Sequence, residues 1–244
     1  MTDKGTETAG ANVSLLFSGG RDSSLTFVRL AQKGYKVHLL TFDNGAMARL
    51  DLSGFRMREL RRLFPDAIVC WKTIPVHGLF KRLALLFIEK DMRNYETNLI
   101  CMGCKLAMHT RALIYCIEND IKYLADGYAS HQRNWIEQMP EAIAPVRELH
   151  KEFGVEYVNP IYAYDDESLI ASELYDLGMS TKSLEGTCLF GGTYSIPSST
   201  HVTSYVSEKL PLCREYIRNY FRVKNEPLAH GDEWRSGECD LEKY

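Results

Sequence analysis

Short apolar runs alternate along the chain with longer segments whose apolar positions recur at helical spacing. The runs predict strands over 13–17 (VSLLF), 36–42 (KVHLLTF), 67–73 (AIVCWKT), 121–125 (IKYLA) and 155–161 (VEYVNPI). The spaced segments predict helices over 23–33, 54–63, 78–92, 104–119, 136–152 and 166–177. This alternation is that of an α/β fold built around a parallel sheet. In YDDESLIASELYDLG, Asp165 or Asp166 can cap the helix, acids fill its first turn and Gly178 stops it. From Gly178 to Thr200 the pattern is loop-like, a helix is expected over 203–222, and a polar tail, HGDEWRSGECDLEKY, follows. No internal repeat or low-complexity block interrupts the pattern. The expected organisation is a flexible leader over 1–12, one domain over 13–225 and a polar tail over 226–244.

A chain of 244 residues can bury one good core. Its 45% hydrophobic and 25% charged content is ordinary for a globular protein. A formal charge of −3 argues against a strongly basic nucleic-acid binder, while leaving room for a local basic patch. No apolar run approaches the roughly 20 residues of a membrane span, and MTDKGTETAG lacks the apolar core of a signal peptide. The seven cysteines are odd in number and too sparse for a disulfide scaffold. They fit a cytoplasmic protein that uses some of them for metal or thiol chemistry.

The chemistry begins at VSLLFSGGRDSSLTF, Val13 to Phe27, where a strand runs into a Gly-rich turn and a helix start. That order makes a nest of backbone N–H groups at the positive end of a helix dipole. Gly19 and Gly20 allow an anion to approach the backbone, Ser18, Ser23 and Ser24 offer hydroxyls, and Asp22 can hold Mg²⁺ or cap the helix. An ordinary glycine turn with an N-cap is the plainer reading. Neither G-x-x-x-x-G-K-[ST] nor G-x-G-x-x-G is present. Instead SGGRDSS resembles the SGGxDS signature of the PP-loop (N-type) ATP pyrophosphatases, which hold the β,γ-pyrophosphate while ATP is cut between α and β.

The resemblance implies an adenine nucleotide alpha-hydrolase-like, Rossmann-like fold: an open, mainly parallel five-stranded sheet with helices on both faces. It also implies ATP and Mg²⁺ as ligands and a homodimer. The end of the second strand, LLTFDNG, would then place Thr41 and Phe42 at the adenine, and Gly127 in YLADGYASHQ would lie near the α-phosphate. Where that family often has Gly-His, this chain has Gly127-Tyr128; His131 is close enough to substitute for that histidine, while a surface loop histidine is the plainer expectation.

The cysteines set the subclass. NLICMGCKLAMHTRAL carries Cys101 and Cys104 just before a helix, whose N-terminus lowers thiol pKa values and favours nucleophiles or metal ligands. Cys188 sits far downstream in SLEGTCLFGGTY. The segments CKLAMHTRAL and GTCLFGG resemble the two cysteine segments of the tRNA 2-thiouridylases. The set Cys101, Cys104 and Cys188 also resembles the three-cysteine ligands of the tRNA thiolases that bind a [4Fe–4S] cluster. Either resemblance implies Cys104, Cys188 and Asp22 as catalytic residues. In such chemistry ATP adenylates a carbonyl oxygen, and sulfur then arrives as a cysteine persulfide or as a sulfide held at an open iron. Zinc on the three cysteines and His109 is a further alternative, although His109 lies more than a turn beyond Cys104. Cys70, Cys116 and Cys213 read as core residues, and Cys239 has no assigned role.

Two arginine stripes, Arg58, Arg61 and Arg62, then Arg214, Arg218 and Arg222, could grip phosphates or be solvated helix faces. Tyr216 and Tyr220 fall on other faces of the second helix. No appended RNA-binding domain is evident. The leading expectation is an ATP-dependent sulfurtransferase that thiolates a nucleobase, in tRNA or a small molecule, with a sulfur donor protein and no membrane as partner. The alternatives are an amidating or nitrile-forming ligase, acting on a compound such as a deazaguanine with structural zinc, and a non-catalytic nucleotide-binding regulator.

Overall fold

The computed structural model describes residues 9–191 and 197–225. Most of the expected leader, the whole polar tail and Cys239 lie outside the described residues. Five parallel strands, β1 (Asn12–Leu16), β2 (Lys36–Asp43), β4 (Ile68–Pro75), β5 (Tyr123–Ala125) and β6 (Glu156–Val158), form one sheet in the order β4-β2-β1-β5-β6. The sheet is open, with helices on both faces. Its strands read as apolar runs because both faces are covered.

One face carries α1 (Arg21–Gln32), α2 (Leu52–Leu63) and α7 (Glu167–Asp176), packed through Leu25, Phe27, Met57, Leu60, Ile170 and Leu174. The other carries α3 (His77–Phe80), α4 (Ile88–Tyr95), α5 (Ile100–Glu118), α6 (Pro140–Glu152) and α8 (Ser199–Asn225) over a larger core. By length and composition α5 could cross a membrane, yet 72% of its most apolar 18-residue window is buried. It is the central helix of its layer. Of the two candidate caps for α7, Asp166 is the one used: its carboxylate accepts from Ser168 N–H at 2.8 Å.

The order reverses between β1 and β5. Chain leaving these two neighbours runs to opposite sides, which opens a crevice at their carboxyl ends, the usual ligand position in open α/β sheets. Both Ser18–Ser24 and Asp126–Tyr128 are delivered there.

Three local expectations change. The helix expected over 78–92 is α3, a π-helical turn over Lys81–Leu85, and then α4. The one expected over 136–152 begins as a 3₁₀ turn, Ile136–Gln138, and α6 starts at Pro140, whose fixed φ suits a first helical turn. The loop-like stretch after Gly178 contains a two-residue strand, β7 (Thr187–Cys188), which pairs antiparallel with β3 (Met47–Ala48).

Candidate active site

Helix α1 starts at Arg21 with Gly20 as its extended N-cap, and no side chain caps it. The first N–H groups of a helix have no carbonyl partner within it, so they are left for a ligand. The hydroxyls organise this turn. Ser18 Oγ accepts from Gly20 N–H at 3.1 Å and meets Ser23 Oγ at 3.3 Å. Ser24 is turned inward, donating to the Gly20 carbonyl at 2.6 Å. Gly19 has a φ of +86°, and a Cβ there would fall 2.3 Å from the Leu184 carbonyl oxygen. A Cβ on Gly127 would fall 2.6 Å from the Ser23 nitrogen. Glycine at 127 is thus what lets β5 approach the start of α1.

The cradle forms the floor of a cavity of about 520 Å³, which is also lined by Thr41, Phe42, Met47, Lys105, Asp126, Gly127, Trp135, Glu185 and Cys188. That volume is in the range of small-molecule sites, about 300–1,000 Å³. Thr41 reaches it from β2, but its hydroxyl is engaged, donating to the Phe17 carbonyl at 2.8 Å and accepting from Trp71 Nε1 at 2.9 Å. Asp126, at the end of β5, is buried and accepts from Tyr128 N–H, Asn159 Nδ2 and the Tyr157 hydroxyl. Burial still pushes its carboxyl up to about 6.

Asp22 shares this electrostatics. Burial pushes its carboxyl up to about 6, His131 opposes the shift and Glu185 adds to it. His131 is not a surface residue. Its side chain is 10% exposed, Nε2 lies 3.8 Å from Asp22 Oδ2, and neither ring nitrogen has a hydrogen-bond partner among the described residues. A 3₁₀ turn over Ser130–Gln132, tied by His131 N–H to the Tyr164 carbonyl, aims the ring inward.

Three residues have no role of their own in the sequence reading. Glu185 roofs the cradle: a Cβ on Gly20 would lie 2.7 Å from its Oε2, and Leu184 N–H donates to the Gly19 carbonyl at 3.2 Å. Arg56, fully buried on α2, donates to the Gly19, Ser180 and Lys182 carbonyls and pairs with Glu59 at 2.6 Å. It ties the cradle to the loop that leads to Cys188. Asn44, the third, follows β2.

Asn44 Nδ2 donates to Cys104 Sγ at 3.3 Å and to Cys188 Sγ at 3.6 Å, so the two sulfurs are less than about 7 Å apart. Cys188 lines the cavity, while Cys104 is buried behind it. The expected helix-end lowering of the Cys104 pKa is overturned: the residue lies a full turn inside α5, and burial pushes its thiol up to about 12 against the pull of Asn44 and Lys105. Cys101 sits half-buried in the first turn of α5.

Among the described residues, no three His, Cys, Asp or Glu side chains converge to hold a metal ion. Zinc on the three cysteines and His109 does not fit: His109 Nδ1 lies 3.2 Å from His150 Nε2 and its Nε2 lies 3.6 Å from Asp126 Oδ2. Cys70, Cys116 and Cys213 are buried in the core. Of the second arginine stripe, Arg214 and Arg218 both pair with Glu152.

No protein-family model and no curated protein matches the sequence. Among solved structures, a 4-thiouridine synthetase in complex with RNA and bound ATP is 14% identical with a TM-score of 0.58, over 86% of this chain and 53% of that one. The U34-tRNA thiolase NcsA from Methanococcus maripaludis, with its [4Fe-4S] cluster, is 14% identical with a TM-score of 0.52, over 97% and 81%. A "predicted subunit of tRNA methyltransferase" from Methanocaldococcus jannaschii is 21% identical with a TM-score of 0.43, over 73% and 96%. At such identities the likeness is one of fold. This chain shares the fold of the thiolase and the 4-thiouridine synthetase, with SGGRDSS at its switch point.

Proposed function

We propose that the protein is an ATP-dependent sulfurtransferase that thiolates a nucleobase carbonyl, in tRNA, through two cysteines. One observation carries the reading: Cys104 and Cys188 share the Asn44 amide beside a cavity floored by the uncapped start of α1. The thiolase and 4-thiouridine synthetase among the fold neighbours support the same chemistry.

The N–H groups after Gly20, with the Ser18 and Ser23 hydroxyls, hold the β,γ-phosphates, and Asp22 is the carboxylate that would hold Mg²⁺. The strand end at Thr41 and Phe42 takes the adenine. The nucleobase oxygen attacks the α-phosphorus, its O–P bond forms as the bond to the β-phosphate bridge breaks, and the cradle retains the departing pyrophosphate. Cys188, lining the cavity, carries a terminal sulfur delivered by a persulfide donor. That sulfur attacks the activated carbon, the C–S bond forms, and the C–O bond breaks to release AMP. Cys104 then attacks Cys188 Sγ, its thiol proton ending on the ring nitrogen of the product as the new S–S bond forms. The bond to the transferred sulfur breaks, its electron pair goes to the product as a thiocarbonyl, and a Cys104–Cys188 disulfide remains. An external dithiol reductant restores the pair. No step is routed through iron or zinc.

Cys104→Ala and Cys188→Ala test the reading. Each should abolish thio-product on tRNA supplied with ATP, Mg²⁺ and a persulfide donor while leaving nucleotide affinity within about twofold. Full activity in both variants would end it.

A further inference from the structure

The position of Asn44 has a chemical consequence that its place in the turn after β2 does not require. A side-chain amide has two N–H donors and one carbonyl acceptor. Here the carbonyl is taken: Ala46 N–H donates to Asn44 Oδ1 at 2.9 Å, which fixes which end of the amide faces the sulfurs. Both sulfurs lie within reach of the remaining nitrogen. The side chain is buried, at 5% exposure, so no alternative partner in water competes. The same turn also holds the backbone of Cys188. Leu189 N–H donates to the Ala46 carbonyl at 2.9 Å, and Met47 pairs with Cys188 across the β3–β7 ladder. Cys104 reaches the site independently, from α5.

We infer that Asn44 is the positioning residue of the thiol pair: its amide gathers Cys104 and Cys188 to within about 7 Å of each other, so that a disulfide between them forms and reopens from one prepared arrangement. Two N–H···S bonds from one rigid amide lower the conformational freedom of both thiols, which raises their effective concentration toward each other. The inference rests on the sulfur-transfer reading only for its purpose. The geometry itself does not depend on any substrate.

The test uses the full chain, purified without oxygen and equilibrated in glutathione redox buffers, with the Cys104–Cys188 disulfide quantified by mass spectrometry. Asn44→Asp keeps the acceptor that receives Ala46 N–H but removes both donors. We expect it to lower the equilibrium constant for the intramolecular disulfide by tenfold or more, with melting temperature and ATP affinity near those of the unaltered protein. Thio-product formation should fall in parallel. If Asn44→Asp does not fold, Asn44→Ser is read the same way, its hydroxyl replacing the acceptor for Ala46. A folded variant with an unchanged disulfide equilibrium overturns the inference. A disulfide that depends on Asn44 in a protein that thiolates no nucleobase upholds the inference and removes the sulfurtransferase reading instead.

Discussion

His131 Nε2 lies 3.8 Å from Asp22 Oδ2, and the Asp22 carboxylate lines the cavity. Burial raises the carboxyl to about 6, the imidazole opposes that shift and Glu185 adds to it. If ionised Asp22 carries the metal–nucleotide complex, activity has an acid limb near that value. His131→Gln should move the limb to higher pH and Glu185→Gln to lower pH. Profiles of kcat/KM against pH from 5 to 8 read this directly, and two variants shifting in the same direction would refute the assignment.

The same carboxyl has a stability signature. Its value in the fold, about 6, is above its ordinary 3.8, so the folded state holds the proton more tightly than the unfolded one. Its contribution to stability is full below the ordinary value and is lost as pH rises through about 6. In Asp22→Asn that pH dependence should flatten between pH 4 and 7, as measured by urea unfolding of the ligand-free protein.

Arg56 predicts a larger loss. Its buried guanidinium donates to three carbonyls, at Gly19, Ser180 and Lys182, besides pairing with Glu59. Arg56→Ala should cost on the order of 3–5 kcal/mol in denaturant unfolding, because buried acceptors are left without donors. Arg56→Lys should not restore the loss, since one ammonium cannot reproduce the fork. Recovery by lysine would show that charge alone suffices.

The thiols should react unequally. With Cys104 buried and its thiol pushed up to about 12, iodoacetamide at pH 7 should label Cys188 well before Cys104. Peptide mapping over time gives the order. Equal rates would mean that the wall covering Cys104 opens freely.

Much of this was legible in the chain. The apolar runs at Val13–Leu16 and Lys36–Phe42 located two of the parallel strands, because strands covered on both faces carry an uninterrupted signal. The SGGRDSS loop stood out because few other uses require two glycines, an acid and three hydroxyls after a strand. What escaped depends on contacts far apart in sequence. A two-residue strand such as Thr187–Cys188 has no period to detect, and its partner is at Met47–Ala48. Arg56 lies among other arginines in FRMRELRRLF, and only the incoming loop at 180–182 makes it a buried one. His131 was expected at the surface because nothing local shows that a 3₁₀ turn points it at Asp22. Asn44 was within the stretch expected to meet adenine, but its link to Cys104 and Cys188 exists only once α5 and the β3–β7 ladder have assembled.

Gly127 separates the cradle from a mere turn most sharply. A methyl at Gly127 would press on the Ser23 nitrogen at 2.6 Å and on the Asp22 carbonyl carbon and Ser23 Cα at 2.9 Å, all backbone with little room to yield. Titration calorimetry of Mg²⁺ and a non-hydrolysable ATP analogue into the intact protein and into Gly127→Ala is the direct measurement. Micromolar binding by the intact protein, with a pyrophosphate competitor displacing the analogue and a loss of tenfold or more in the variant, is the predicted result. No heat of binding from the folded intact protein, at any analogue concentration up to the millimolar range, would contradict it.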